Sequence, residues 1–383
     1  MTNDNEFERI RPYDEEEARL AFERLAKNPA LPLISKYLFP NEDPLKLTRT
    51  LKKIHTIQEF QDTVMMDMIS SILGMTSEGF TFEGLDNIRA LEGKKFLAVS
   101  NHRDIVLDPA LIQYALRSAG FQYTEICVGS NLLSSQWIED LMRINGMVTV
   151  IRGISARELY LSSQILSKYI RKTVSSGTSS IWIAQREGRT KNGIDTTEQG
   201  LLKMFDLSGE NGFVENFKEL NIVPMSISYE YESCDARKAR ELLIKREQGS
   251  YKKRPNEDLH SIMTGIRQQK GHIHLSIGKP LTSEEIEKAG EWKGNDRYQA
   301  IRSLLDERII RGYRLYKTNY IAADILEGST RHLGIKYLPE DRTAFEKYAE
   351  HKMSKIEKRL QGDALREIFY GIYGNPVKTV GER

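Results

Sequence analysis

Apolar and polar positions follow a helical period over the first 78 residues of the chain. The acidic residues 14–17 open a predicted helix whose Leu20, Phe22 and Leu25 form a packed side. From residue 46 to residue 73 apolar side chains recur at intervals of three and four, which predicts further helix. We therefore predict an N-terminal helical domain over residues 1–78.

Residues 29–40, which begin and end with proline, interrupt this helical pattern. They are predicted to form a break or a short apolar turn region. An apolar stripe at helical spacing is usually core, so the N-terminal domain is interpreted as a packing module without a catalytic role.

Short apolar runs alternate with helical stretches from residue 79 to residue 281. The runs at 96–99, 181–184 and 222–227 have the length and composition of buried strands. Strands that take turns with helices predict an α/β fold, a mainly parallel sheet flanked by helices. We expect the chemistry-bearing residues of this domain at an edge of the sheet.

The pattern becomes helical again over residues 282–383. Thr282 and Glu285 have the spacing of a capping box. An apolar stripe follows on one helix face: Tyr298, Ile301, Leu304, Leu305 and Ile309. This part is predicted to be a helical C-terminal extension packed on the α/β domain.

Composition narrows the class of protein. The 383 residues are 39% hydrophobic and 29% charged, and the net charge of +2 is too close to neutral to indicate nucleic-acid binding. The two cysteines, Cys127 and Cys234, lie beside apolar stretches, which favours buried free thiols in a reducing compartment over a disulfide framework or a zinc site.

The chain shows neither a secretion signal nor a membrane span. Residues 1–8 are acidic and polar, and no apolar run approaches the ~20 residues that cross a bilayer. We expect a cytoplasmic protein that visits the inner face of the membrane if its substrates are lipids.

One basic segment, Arg237 to Arg254, holds eight Lys or Arg residues against Glu241 and Glu247. Its net charge of about +6 suits anionic lipid headgroups, an acidic carrier protein or the phosphates of coenzyme A. A solvated helix face explains the same charges, and the sequence leaves both interpretations open.

Candidate chemistry is concentrated at residues 100–109, directly after the apolar run 96–99. Active sites collect at strand ends, and His102 is followed there by Asp104 and Asp108. An imidazole held by a carboxylate can take a proton from an alcohol, which makes the oxygen strong enough to attack an acyl carbonyl.

This passage resembles the histidine and aspartate block of the glycerolipid acyltransferases. The family pattern places four residues between the two, whereas five separate His102 from Asp108, so we interpret an insertion of one residue. Asp108 is favoured over Asp104 as the carboxylate that orients the ring, because it must bond the nitrogen that does not act as base.

Three further blocks resemble the family in the same order: residues 129–153, 181–190 and 222–230. The resemblance implies that Arg152 faces the acceptor phosphate and that Pro224 shapes the acyl side. In the middle block the resemblance implies that Glu187, Gly188 and Arg189 bind phosphate. A glycine lets the ligand come close to the backbone, and the planar guanidinium group of an arginine can donate two hydrogen bonds to a phosphate.

Two competing interpretations fail on the sequence. His102-Arg103-Asp104 also matches the core of a kinase catalytic loop, but Pro109 stands where that loop needs asparagine. His272 and His274 share one face of a predicted strand, yet without a third ligand in view a polar strand face is favoured over a metal site.

The resemblance implies transfer of a fatty acyl group from acyl-CoA or acyl-carrier protein to a hydroxyl of glycerol 3-phosphate. It requires no metal or organic cofactor. The 1-acylglycerol-3-phosphate (lysophosphatidic acid) acyltransferases are a close alternative, with a lysophospholipid as acceptor. An interpretation from another class is a lipid-binding relative that has lost catalysis.

Overall fold

A seven-stranded sheet forms the centre of the computed structural model, which describes residues 6–152 and 155–381; Gly153, at the end of the second block, lies outside these residues. The strands are β1 (Gly79–Glu83), β2 (Leu97–Ser100), β3 (Glu125–Gly129), β4 (Met147–Val150), β5 (Ile181–Ala184), β6 (Val223–Tyr229) and β7 (His272–Ile277).

The strand order is β1-β7-β6-β2-β5-β3-β4. Strands β6, β2, β5, β3 and β4 run parallel, whereas β7 is antiparallel to β6 and β1 is parallel to β7. The predicted mainly parallel sheet is therefore confirmed, with a reversed pair at one side. Strand β2 lies at the middle, so residues 101–109 emerge at the carboxyl edge of the central strand.

The central strands are mostly apolar and are buried along their whole length, because both sheet faces are covered. All four residues of β2 and all seven of β6 are buried. Continuous apolar runs of this kind are typical of parallel sheets with helices on both faces.

The N-terminal region consists of five helices, and the last two are joined by a π-helical turn at Gln61–Met65. Their bounds are α1 (Glu15–Ala26), α2 (Leu31–Leu38), α3 (Lys46–Leu51), α4 (Ile57–Phe60) and α5 (Met66–Thr76).

Helix α1 begins where the acidic residues predict it, because the Asp14 side chain accepts hydrogen bonds from the backbone N–H groups of Glu16 and Glu17. A cap of this type contributes about 1 kcal/mol. Phe22 and Leu25 are buried as predicted, but Leu20 is exposed, because the buried stripe continues through alanines and leaves Leu20 on the opposite side.

The predicted break at residues 29–40 is wrong in its centre, where helix α2 forms. Pro32 lies in the first turn of that helix. A proline is tolerated there because the first N–H groups of a helix have no partner within it.

Helices α6–α13 lie between the strands and flank the sheet. Their bounds are α6 (Leu85–Arg89), α7 (Leu107–Ser118), α8 (Gln136–Ile144), α9 (Ala156–Ser175), α10 (Gln199–Asp206), α11 (Phe213–Lys218), α12 (Asp235–Gln248) and α13 (Glu257–Arg267).

The C-terminal region is helical, as predicted. It contains α14 (Ser283–Gly290), α15 (Asp296–Gly312), α16 (Lys317–Glu327), α17 (Pro339–Ser354) and α18 (Asp363–Val380). The capping box of Thr282 and Glu285 is present at the start of α14. The α15 stripe is buried through Tyr298, Ile301 and Leu305.

Both cysteines are free and buried. Across residues 6–152 and 155–381, no helix combines the length and hydrophobicity that a membrane span requires.

Candidate active site

His102 lies in the loop between β2 and α7, and Asp108 lies in the first turn of α7. The Nδ1 atom of His102 is 2.8 Å from Oδ2 of Asp108. The five intervening residues form the loop and the start of the helix, so the carboxylate returns to the ring. With Nδ1 donating to Asp108, Nε2 is left as the basic nitrogen of a neutral imidazole.

The Asp108 carboxylate is wholly buried and held from three further directions. Its Oδ2 accepts hydrogen bonds from the backbone N–H groups of Arg103 at 2.5 Å and Asp104 at 2.8 Å. The Tyr229 hydroxyl donates to Oδ1 at 2.7 Å. Burial and the charge of Asp108 hold the pKa of Tyr229 well above its usual range, so the phenol keeps its proton and remains a donor.

Asp104 has a different set of contacts. Its Oδ1 accepts the N–H groups of Val106 and Leu107, at 2.9 and 2.8 Å, and the Ser233 hydroxyl donates to Oδ2. This side chain satisfies N–H groups at the start of α7. The structure thus brings Asp108 to the imidazole and places Asp104 at the helix start.

A cluster of buried charged side chains holds the loop between β2 and α7 in place. Arg103 is fully buried, its Nη2 is 2.6 Å from Asp195, and its Nη1 is 3.3 Å from Glu232. Lys238 donates to the Arg103 carbonyl at 2.8 Å and pairs with Glu232 at 2.5 Å. Removing one member of such a cluster leaves an uncompensated buried charge, which costs about 3–5 kcal/mol. The backbone that carries His102 is therefore rigidly supported.

His102 lines a cavity of about 520 Å³. One wall comes from the N-terminal helices and α13, and another from α8 with β3 and β4. The apolar side chains of the first wall include Ile34, Leu38, Met65, Met68, Ile69, Ile72, Ile262, Met263 and Ile266. Those of the second include Ile126, Val128, Ile138, Leu141, Met142 and Met147.

Arg152 and Arg189, both predicted to bind phosphate, line the same cavity. The Nη1 atom of Arg189 is buried and has no hydrogen-bond partner among the described residues. A buried guanidinium N–H without a partner is costly, so this group is suited to an anionic ligand. The structure therefore places both guanidinium groups in the cavity that His102 lines.

Two glycines, Gly129 and Gly188, leave room for the Arg152 and Arg189 side chains in the cavity. A side chain at Gly129 would approach Asn131 Oδ1 to 2.5 Å and the Arg152 guanidinium carbon to 3.0 Å. Gly188 has a φ of +69°, which favours glycine, and it lines the cavity beside Arg189.

Glu187 and Pro224 lie elsewhere than expected. Glu187 is not among the described residues that line the cavity; its side chain is 71% exposed, and Oε1 is 3.8 Å from Arg152. The negative charge of Glu187 would repel a phosphate group. Its side chain instead lies near the guanidinium group of Arg152. Pro224 is buried in β6, against Gly278, and does not line the cavity within the described chain. The acyl-side position that the resemblance implied for Pro224 is thus a strand position.

Most cations of the basic segment Arg237–Arg254 are paired within the protein. Lys238 is buried with Glu232, Arg240 and Arg254 contact Glu357, Arg246 contacts Glu367, and Lys253 contacts Asp258. Pairing reduces the charge that this segment offers to a partner. Lys253 lines the cavity.

The two strand histidines have separate partners. Nδ1 of His272 is 2.7 Å from Glu230, with Glu78 at 3.7 Å, and Nδ1 of His274 is 2.8 Å from the Thr81 hydroxyl. The structure does not bring the two imidazoles to a common ligand position, but it groups His272 with the carboxylates of Glu78 and Glu230, whose ligand atoms lie within 4.8 Å of one another.

The roles of three residues near His102 were missed from the sequence. Tyr229 lies within the fourth block, but no pattern links it to Asp108, which is 121 positions away. Trp182, whose ring is 5.8 Å from that of His102, reads as an ordinary strand residue. Lys191, which pairs with Glu241 and whose pKa is lowered by burial, also lines the cavity. The apolar residues of α5 recur at helical spacing. That spacing is the same for a helix that faces a solid core and for one that lines a cavity, so the sequence did not reveal the cavity.

Comparisons with known proteins give two findings. A family model described as Acyltransferase matches residues 79–229. Among solved structures, the chain is similar to the 1-acyl-sn-glycerophosphate (LPA) acyltransferase PlsC from Thermotoga maritima, with 14% identity, coverage of 77% of this chain and 92% of that chain, and a TM-score of 0.41. A search of curated proteins gave no match.

Proposed function

We propose that this protein, whose residues 79–229 match a family model described as Acyltransferase, moves a fatty acyl group from acyl-CoA or acyl-carrier protein to a hydroxyl of glycerol 3-phosphate. The observation that carries the proposal is the His102–Asp108 pair at 2.8 Å, in a cavity that also presents Arg152 and Arg189. Base, anion-binding groups and apolar walls are the three parts that this reaction needs.

His102 acts as the general base. Nε2 takes the proton of the acceptor hydroxyl while that oxygen attacks the thioester carbonyl, and a new C–O bond forms. The tetrahedral intermediate then collapses, the C–S bond breaks, and the imidazolium returns its proton to the departing thiolate. Asp108 holds the useful tautomer and stabilises the imidazolium, and Tyr229 holds Asp108.

Arg152 and Arg189 anchor the phosphate of the acceptor. The Nη1 atom of Arg189, which has no hydrogen-bond partner among the described residues, supports this role because it supplies a donor that a phosphate oxygen can accept. Anchoring a phosphate fixes the position of the hydroxyl on the same molecule, which converts binding energy into orientation of the reacting groups.

The apolar walls receive the acyl chain. A thioester is already an activated acyl group and a thiolate is a good leaving group, so the proposed steps need no metal or organic cofactor. Thioester donors and glycerol phosphates belong to the cytoplasm, and we place the reaction there, at the inner face of the membrane that receives the product.

The test is product mass spectrometry on purified protein with a long-chain acyl thioester and either glycerol 3-phosphate or 1-acylglycerol 3-phosphate. Lysophosphatidic acid from the first acceptor is expected. Phosphatidic acid from the second acceptor alone would assign the lysophosphatidic acid acyltransferase reaction instead. No product with either acceptor, from acyl-CoA or from acyl-carrier protein, would favour a non-catalytic lipid-binding protein.

His102→Ala should lower the rate by a factor on the order of 10²–10⁴, because the general base is removed. The matched control is His55→Ala, since His55 is exposed and outside the cavity. Both variants should melt near the wild-type temperature. Equal turnover of His102→Ala and wild type would refute the proposed base.

A further inference from the structure

Three side chains that can bind a metal ion meet beside the reversed strand pair of the sheet. Glu78 lies between α5 and β1, Glu230 directly follows β6, and His272 is the first residue of β7. One ligand atom of each side chain lies within 4.8 Å of those of the other two. We call these three residues the His272 cluster. Within the described chain, none of them lines the cavity that contains His102.

The distances within the His272 cluster are close to those of a zinc site. Nδ1 of His272 is 2.7 Å from Oε2 of Glu230 and 3.7 Å from Oε2 of Glu78. Ligand atoms at about 2.0–2.2 Å from a tetrahedral zinc ion are about 3.3–3.5 Å apart. The shorter distance must therefore lengthen and the longer one shorten, each by less than about 1 Å. The Glu78 side chain is 66% exposed and has room for this movement.

Backbone hydrogen bonds already hold the three residues side by side. The Glu78 N–H donates to the Gly271 carbonyl at 2.8 Å, and the Glu230 N–H donates to the His272 carbonyl at 2.9 Å. Gly271 has a φ of +58° and leaves space for a carboxylate, because a Cβ there would lie 2.6 Å from Oε2 of Glu230. Ligands on a fixed backbone lose little conformational freedom when an ion binds.

The burial of Glu230 separates the His272 cluster from an ordinary group of surface carboxylates. This side chain is only 5% exposed. Both of its side-chain hydrogen bonds among the described residues are accepted by Oε2, from the backbone N–H and the ring of His272. A carboxylate that is removed from water in this way normally binds a strong partner, such as a cation.

The His272 cluster lacks the positive charge that its carboxylates need. In the part of the chain that the structure describes, the ion pairs of Glu78 and Glu230 are with His272 alone. Lys317, on α16, pairs with Asp341 at 2.9 Å instead. Even a protonated imidazole balances only one of the two negative charges, whereas a divalent cation balances both.

We propose that His272, Glu230 and Glu78 bind a zinc ion through Nδ1 and two carboxylate oxygens, with water as the fourth ligand. The imidazole nitrogen favours zinc over magnesium and calcium, which prefer oxygen ligands. When zinc binds, Nδ1 gives up its hydrogen bond to Glu230 and coordinates through its lone pair, and the ring proton is then carried by Nε2.

The zinc site goes beyond the proposed function, because the ion takes no part in acyl transfer. It is a structural ion that joins the segment after α5 to the ends of β6 and β7. Glu230 directly follows Tyr229, whose hydroxyl donates to Asp108. Helix α5 contributes Met68 and Ile72 to the cavity wall. The ion therefore stabilises the connection between this wall and the strand that holds Asp108.

Isothermal titration calorimetry of chelator-treated protein with zinc chloride tests the site without turnover. Wild-type protein should bind one zinc ion per chain, and its melting temperature should rise because the ion favours the folded state. The double variant Glu78→Gln/His272→Ala should bind zinc at least about tenfold more weakly, because two of the three ligands are removed. Both side chains are more than half exposed, so circular dichroism should show an unchanged fold.

Glu350→Gln/His351→Ala is the matched control. It makes the same chemical changes at two exposed residues of α17 that belong to no group of three potential metal ligands among the described residues. The control should bind zinc like wild type. Equal zinc affinity of the cluster variant and wild type would overturn the proposal, as would a failure of wild type to bind zinc at all.

Two further arms identify the ion and its position. Magnesium chloride should bind more weakly than zinc chloride, and equal affinity for the two would reject a site with a nitrogen ligand. His102→Ala protein should bind zinc like wild type. Zinc binding that is lost in His102→Ala but kept in the cluster variant would place the ion in the cavity and overturn the proposal.

The zinc site and the proposed function can fail separately. Zinc binding at the His272 cluster by a protein that forms no acyl product would retain the site and reject the proposed function. Product formation by a protein that binds no zinc at this cluster would do the reverse.

Discussion

At the scale of single residues, Asp104 and Asp108 have different hydrogen-bond partners in the segment that carries His102. Asp108 contacts the His102 ring, whereas Asp104 holds backbone at the start of α7. The extra residue in the His-to-Asp spacing is accommodated by the loop, because N–H groups at residues 103 and 104 bind the returning Asp108 side chain.

Asp108→Asn should lower kcat by a factor on the order of 10² or more, because a neutral amide stabilises the imidazolium poorly and does not enforce the tautomer. Asp104→Asn should lower kcat less, since an amide oxygen still accepts the N–H groups of Val106 and Leu107. Steady-state kinetics on the two folded proteins decides the point. A larger loss at Asp104 would make that residue the orienting carboxylate.

The partly buried carboxyl group of Glu125 makes the stability of the protein depend on pH. Burial raises the pKa of Glu125 to about 7, although the Tyr169 hydroxyl donates to it at 2.8 Å. The unfolded-state pKa is near 4.5, so the unfolded protein releases this proton first. Stability from this site is therefore complete below about pH 4.5 and is lost as pH rises to about 7.

Glu125→Gln should flatten that dependence. The variant should gain melting temperature relative to wild type at pH 8 and gain little at pH 4.5, because glutamine has no charge to desolvate. Thermal denaturation across pH 4.5–8 is the measurement. Parallel curves for the two proteins would show that Glu125 is not responsible.

At the scale of elements, α13 rests directly on the catalytic loop. A Cβ added at Gly265 would overlap Oδ2 of Asp104, which accepts a hydrogen bond from Ser233, while Oδ1 of the same carboxylate accepts from the start of α7. Glycine at this point therefore sets the distance between the α13 wall of the cavity and the loop that carries His102.

Gly265→Ala should lower activity by about tenfold or more and reduce the melting temperature, because helix or loop must shift in a packed site. Gly200→Ala is the matched control: Gly200 is also helical, is exposed, and has no atom near its Cβ position. The control should keep its activity and lose no stability. Comparable activity in both variants would show that α13 tolerates displacement.

At the scale of the whole molecule, the N-terminal helices form part of the cavity wall. The interpretation as a packing module misses this, since α2 and α5 supply Ile34, Met68 and Ile72 to the lining. The α/β domain contributes the His102–Asp108 pair, and the helical region contributes apolar walls to the same cavity.

Met68→Trp should therefore shift acyl preference toward shorter chains. The larger side chain occupies cavity space, so kcat/KM should fall for long-chain thioesters and change little for short ones. Leu20→Trp, at an exposed position of α1, is the control and should leave the preference unchanged. A uniform fall for all chain lengths would show that Met68 lies away from the acyl path.

The sequence by itself determined the fold class, the order of helical and α/β regions, and the catalytic candidates. These follow from local signals: the spacing of apolar residues, the acidic residues that open α1, the capping box of Thr282 and Glu285, and short sequence motifs. Helix α2 was missed because two prolines outweighed its apolar pattern, although a first-turn proline does not break a helix.

Only the tertiary structure decided which groups meet. It brought Asp108 and not Asp104 to His102, joined Tyr229 to Asp108, placed Arg152 and Arg189 in one cavity with His102, and paired most of the basic segment internally. It also placed the predicted core stripe of α5, together with the unpredicted helix α2, in the cavity wall. The physical reason is that hydrogen bonds, ion pairs and cavities depend on distances between residues remote in sequence, whereas periodicity reports only the face that a residue occupies.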